Sequence, residues 1–170
     1  MLAKWYKEQP VNRNFLSPIG FKLNLELFDG VDFFCQKANL PGISMPFIEV
    51  PTRFRNFPIA PGGGVTYDDF NITFLVDEDL KNYNSVLSWI KKNGGANEHS
   101  TNEIEYSNGQ LLIATSNFNP SFFVDYEKLF PISLTPIAFD STVSDIEYFV
   151  ATAQFKYTNF TLRDKNFKIL

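Results

Sequence analysis

Cysteine and histidine are almost absent from this chain: Cys35 and His99 stand alone among 170 residues. A lone Cys cannot form an internal disulfide, and His99 has no second histidine with which to build a metal site. No Gly-x-Ser-x-Gly turn is present to carry a serine nucleophile, and Cys35 lies in an alternating segment with no basic neighbour placed to lower its pKa. Catalysis, a resident metal and a cofactor are therefore not expected. Long apolar runs are missing too. Even Phe28 to Cys35 is broken by Asp29, Gly30 and Asp32, far short of the roughly 18 residues a membrane-spanning helix requires. The first residues do not combine a basic region with an apolar stretch, so a reducing, cytoplasmic origin is expected.

Positive charge is also scarce. Fifteen Lys and Arg against nineteen Asp and Glu leave a formal charge of −4, which argues against a surface built to neutralise nucleic-acid phosphates. Aromatic residues are abundant, with nineteen Phe, seven Tyr and two Trp. A chain of this length buries about 70 % of its unfolded surface, so a single domain with a large apolar core is expected.

Along the chain, Met1 to Pro18 is polar without a clear period but holds Trp5, Tyr6 and Phe15, and reads as an arm that orders on a neighbour. Phe21, Leu23, Leu25 and Leu27 then alternate with Lys22, Asn24 and Glu26 up to Asp29-Gly30, the pair a type I′ turn favours. Pairing across that turn would set Leu25 against Phe34 and Phe21 against Ala38, with Lys22 beside Lys37 on the other face. Phe47 to Ile59 carries Pro51 and Pro58, after Pro46, and so reads as an edge strand or a long arm. Pro61-Gly62-Gly63-Gly64 reads as a flexible tip; without a following Lys-Ser or Lys-Thr it is not a phosphate loop.

Ile72, Phe74 and Val76 alternate as a short strand. Leu80, Tyr83, Val86, Leu87 and Ile90 fall on a helical stripe, which predicts a helix with Asp77, Glu78 and Asp79 at its start, Lys91 and Lys92 at its end and Gly94 as a left-handed cap. A helix N-terminus explains those acids better than a cation site, since they lack the spacing of a calcium loop. Asp68 and Asp69 are adjacent in an extended segment and point apart, so they are not an acid and base pair. His99 falls in a polar loop, Asn108-Gly109 predicts a second tight turn, and Phe122 to Glu127, Leu129 to Leu134 and the stretch through Tyr157 predict strands. The sum is mainly β: an antiparallel β-sandwich or barrel with one flanking α-helix.

Phe34-Cys35-Gln36-Lys37-Ala38-Asn39-Leu40-Pro41-Gly42, then Tyr67-Asp68-Asp69-Phe70-Asn71-Ile72-Thr73-Phe74 and a helix ending at Trp89, resemble the tail tube proteins of contractile-tailed phages of the T-even type. Leu129-Phe130-Pro131 and Ile146 to Tyr157 resemble that family's closing strands. The weight rests on order and spacing, since each motif alone is ordinary strand and turn grammar. The resemblance implies a β-sandwich or barrel with a flanking helix, six subunits per ring, stacked rings, and a channel through which DNA passes without specific binding. It also implies a virion component assembled in the host cytoplasm, with tail sheath, baseplate or neck proteins as partners and no membrane. Six copies of a −4 charge carry −24, and an acidic channel would repel duplex DNA and so behave as a conduit.

On this reading residues 1–18 are an N-terminal arm, 19–160 the tube-like domain and 161–170 an extension. The candidate channel wall is Lys22, Asn24, Glu26, Lys37, Gln154 and Lys156; the candidate contact between rings is Phe54, Phe57, Pro61, Gly62, Gly63 and Gly64. Ala60 to Thr66, the N-terminal arm and the tail from Thr161 depart from the family pattern, which keeps a specialised end ring, a baseplate initiator or a neck terminator, as the alternative. A more distant alternative is a ligand-binding β-barrel whose aromatic residues line an internal pocket.

Overall fold

The computed structural model describes residues 16–27, 34–95, 104–142 and 148–170. The described elements run β1 (Phe21–Leu25), β2 (Cys35–Ala38), β3 (Ile43–Ser44), β4 (Ile48–Pro51), β5 (Asn56–Ile59), β6 (Thr66–Tyr67), β7 (Phe70–Leu75), α1 (Lys81–Asn93), β8 (Ser107–Ala114), β9 (Pro120–Leu134), β10 (Val150–Lys156) and β11 (Asn159–Asp164). The fold is the expected one, mainly β with antiparallel ladders and, among the described residues, one helix. Seven strands form a path β1-β8-β9-β10-β7-β2, with β11 on β9; β3 pairs with β6 and β4 with β5 as two small separate sheets.

The main sheet is folded about its longest strand. The first part of β9 pairs with β8 and β11, its last part pairs with β10, and Lys128 takes a left-handed φ of 51° near the changeover. The two strands expected at 122–127 and 129–134 are thus one bent strand. The bend turns two inner faces toward each other. Leu23, Leu25, Leu111, Val124, Tyr126 and Leu129 come from one half, Phe70, Ile72, Phe74, Ala151, Ala153 and Phe155 from the other, and all are buried. Phe70 stacks on Tyr126 at 4.4 Å across that core. Each large apolar side chain buried this way stabilises the fold by about 1.5–3 kcal/mol. Ala151 and Ala153 lie opposite Phe74 and Ile72, so small residues alternate with large ones across the ladder.

The ladder expected between β1 and β2 is not formed among the described residues, and the Asp29-Gly30 turn lies outside them. β1 pairs with β8, setting Leu23 opposite Leu111 and Leu25 opposite Gly109, while β2 pairs with β7 at the far end of the path. Leu25 is therefore not opposite Phe34, nor Phe21 opposite Ala38, and Lys22 faces Leu112 whereas Lys37 faces Thr73. Alternation decides which face of a strand is buried, but not which strand lies beside it. Here Gly109 favours β8: a Cβ at that position would stand 3.1 Å from Leu25 Cδ2, so the missing side chain makes the seat for Leu25. The same glycine overturns the expected turn at Asn108-Gly109, which sits inside β8 beside a register irregularity.

The helix begins later than its acids. Asp77, Glu78 and Asp79 precede α1, no acid lies in its first turn, and Leu80 holds a left-handed φ of 55°. The junction is fixed by buried Asn82 instead. Its Oδ1 accepts from Asp77 N (3.1 Å) and Tyr83 N (2.7 Å), and its Nδ2 donates to Leu75 O (2.8 Å). Val86 and Trp89 bury the inward stripe. At the other end Gly94 stays right-handed and Gly95 takes the positive φ of 66°. Trp89 Nε1 and Asn93 Nδ2 donate to Glu105 O, and Glu105 N donates to Asn93 Oδ1, which pins the helix to the approach to β8. β11 straddles the boundary expected at residue 160, with Phe160 to Asp164 continuing the ladder on β9.

Candidate assembly surfaces

Among the described residues no group of three or more His, Cys, Asp or Glu is placed to hold a metal. His99 lies outside them. Cys35 Sγ donates to Lys37 O at 3.4 Å, across the bulge of β2. Asp69 makes an ion pair with Lys156, while Asp68 supplies backbone: its N–H donates to Gly42 O (3.0 Å) and its carbonyl accepts from Tyr157 Oη (3.0 Å). Burial and the neighbouring Asp68 push the Tyr157 phenol up to about 12, so it is a neutral hydrogen-bond donor at ordinary pH. These polar groups hold turns together.

The apolar surface has a definite shape. β4 and β5 form a two-stranded hairpin in which every residue is exposed. Ile48 lies opposite Ile59 and Val50 opposite Phe57, so four apolar side chains share one face. Asn56 Nδ2 donates to Glu49 Oε2 at 2.9 Å on the strands' other side. Thr52 N donates to Arg55 O at 3.1 Å and closes the turn, and at the tip Phe54 is 92 % exposed with the Arg53 guanidinium 5.9 Å from its ring. A hairpin of this size is marginal in water unless its apolar face is covered. The expected edge strand or arm at Phe47 to Ile59 is thus a projecting hairpin. Of the candidate contact residues, Phe54 sits at its turn, Phe57 on β5, and Pro61 to Gly64 beyond the opposite end of β5, where Gly62 and Gly64 have φ of 70° and 100°.

A second apolar surface lies beside the start of α1. Phe139, Tyr148, Phe149, Leu80, Asp77 and Glu78 are among the residues lining an open cavity of about 660 Å³. Phe139 and Phe149 meet edge to face at 4.9 Å, yet Phe139 and Tyr148 remain 75 % and 81 % exposed. Sequence reasoning missed this surface because Phe139 and Tyr148 sit in irregular segments without a period.

The six candidate wall residues divide between the two halves of the sheet. Lys22, Asn24 and Glu26 lie on or just after β1, where Glu26 Oε2 accepts from Asn108 Nδ2 (3.1 Å). Alongside them Gln110 Nε2 donates to Asp125 Oδ1 (2.7 Å), and Arg163 Nε lies 2.6 Å from Asp125 Oδ2 in an ion-pair contact without hydrogen-bond alignment. Lys37, Gln154 and Lys156 lie on the other half, where Ser133 Oγ donates to Gln154 Oε1 (2.8 Å) and the Thr73 and Thr152 hydroxyls meet at 3.3 Å. Both sets are polar outer faces of one core, and no single face holds all six.

The fold is shared with tube proteins of contractile machines. The tube-terminating cap of the anti-feeding prophage superposes with a TM-score of 0.67 at 16 % identity, over 95 % of this chain and 99 % of that one. A chain of the sheath-tube complex of the PVC extracellular contractile injection system, in its extended state, gives 0.63 at 14 % identity, over 89 % and 93 %. The Hcp1 protein of an E. coli pathovar gives 0.52 at 12 % identity, over 89 % and 96 %. A search of curated protein sequences finds no match. The family model described as phage tail tube protein matches residues 9–163, nearly the whole chain. The chain therefore belongs to the phage tail tube protein family, and is a structural protein of tail-tube type and not an enzyme.

Proposed function

We propose that this protein assembles with copies of itself into hexameric rings that stack as a tail tube, a conduit for DNA during ejection. The observation that carries the reading is the β4 to β5 hairpin, whose apolar face stays exposed and whose tip residue Phe54 is almost wholly uncovered in its own subunit. Exposed apolar surface of this kind marks a protein contact. Edge strands β1 and β2 supply a second reason, since edges left unpaired invite association and ring closure can pair them between subunits. Sheath, baseplate or neck proteins would be the outer partners, and the neighbouring sheath-tube and terminator assemblies support that choice.

The two polar faces take different roles in a ring. Only one of the sets Lys22, Asn24, Glu26 and Lys37, Gln154, Lys156 can line the channel; the other then faces outward or a neighbour. The hairpin, with Phe54 and Phe57, makes the contact between rings, and the Pro61 to Gly64 loop sets its angle. A specialised end ring is the second reading, favoured by the similarity to the tube-terminating cap. Negative-stain microscopy of the purified protein, with its mass in solution, tests both. Open-ended tubes of constant width support the repeated subunit and isolated rings the end ring, whereas a strict monomer at high concentration overturns self-assembly.

A further inference from the structure

The hairpin tip and the aromatic cavity are complementary surfaces on one molecule. Arg53-Phe54-Arg55 presents an exposed ring between two cations. The cavity presents exposed aromatic rings, Phe139 and Tyr148, with the carboxylates of Asp77 and Glu78 at its wall. Among the described residues neither those two acids nor those two arginines form an ion pair. With Phe54 92 % exposed, the tip does not fill its own cavity.

We infer that the Arg53-Phe54-Arg55 tip of one copy docks into the Asp77 and Glu78 cavity of the next copy, Phe54 packing against Phe139 and Tyr148. Rings favour offset or edge-to-face contact, which the existing Phe139 to Phe149 pair already leaves room to extend. The arginines then meet the carboxylates at the rim, where opposite charge fixes register and excludes other surfaces. Because tip and cavity are different patches, the contact is head to tail: it leaves a free tip at one end and a free cavity at the other, and so propagates. This inference rests on the self-assembly reading above.

Charge exchange tests it. One variant carries Arg53→Glu with Arg55→Glu, a second carries Asp77→Lys with Glu78→Lys, and circular dichroism checks that each is folded. Each variant alone should need about tenfold or more protein to assemble, since like charges then face each other. An equimolar mixture should recover assembly, because every reversed tip now meets a reversed cavity and every native tip a native one. Variants that assemble like the parent, or a mixture that stays unassembled, overturn the docking while leaving self-assembly intact. Loss of assembly on removing residues 1–15, with the charge variants unaffected, assigns the cavity to the N-terminal segment and overturns it too. A parent protein that never assembles overturns the reading and the contact together.

Discussion

Strands β7 and β5 are close in sequence and both are rich in apolar residues, yet they end in opposite environments. In β7, Phe70, Ile72 and Phe74 are fully buried between β10 and β2. In β5, Phe57 and Ile59 pair only with β4 and stay exposed. Alternation therefore selects a face without saying whether the subunit itself or another molecule covers it. One set of side chains stabilises the monomer; the other is available to an assembly.

Substitutions should separate the two sets. The largest effect is expected in the core: Trp89→Ala removes the ring packed 6.1 Å from Phe155 and the bond to Glu105 O, and should lower unfolding free energy by about 3–5 kcal/mol in a denaturant titration. Next comes the junction that carries the chain from β7 into α1. Asn82→Ala strands the Asp77 and Tyr83 N–H groups and the Leu75 carbonyl, and should cost about 1–3 kcal/mol by the same measurement.

A smaller effect should follow pH. The Tyr157 phenol is raised from about 10 to about 12 in the folded chain, so the protonated form is the one that folding favours. Its contribution is complete below pH 10 and is lost as pH rises toward 12; thermal melting across that range should show a decline that Tyr157→Phe lessens, the remainder belonging to Tyr126, whose phenol burial also pushes up. The smallest change in stability belongs to the hairpin: Phe54→Ala should leave unfolding within about 0.5 kcal/mol of the parent while impairing self-association in sedimentation. A large destabilisation at Phe54 would break the contrast between β7 and β5.

Particular elements show how far sequence reasoning reached. The strand around Ile72 and Phe74, the helix stripe through Val86 and the buried face of Ala151, Ala153 and Phe155 were legible, because burial repeats with the period of the element. The partner of β1 was not, because Asp29-Gly30 is a local signal and the ladder to β8 depends on the space above Gly109. Asn82 was invisible for a related reason: its partners are Leu75 at the end of β7, Asp77 in the turn and Tyr83 in the first turn of α1, and no local pattern marks a side chain that joins all three. The candidate wall residues were recognised as polar and outward, but their division between two faces follows from the bend of β9 at Lys128.

Sequence alone determined the class of structure, through alternation and helical spacing, and the scarcity of cysteine and histidine. Those are local or compositional properties, readable one segment at a time. Tertiary structure decided strand neighbours, the separation of the two polar faces and the presence of an exposed hairpin and an aromatic cavity on one molecule. Each of these depends on which residues far apart in sequence fit the same space, and that fit is set by packing.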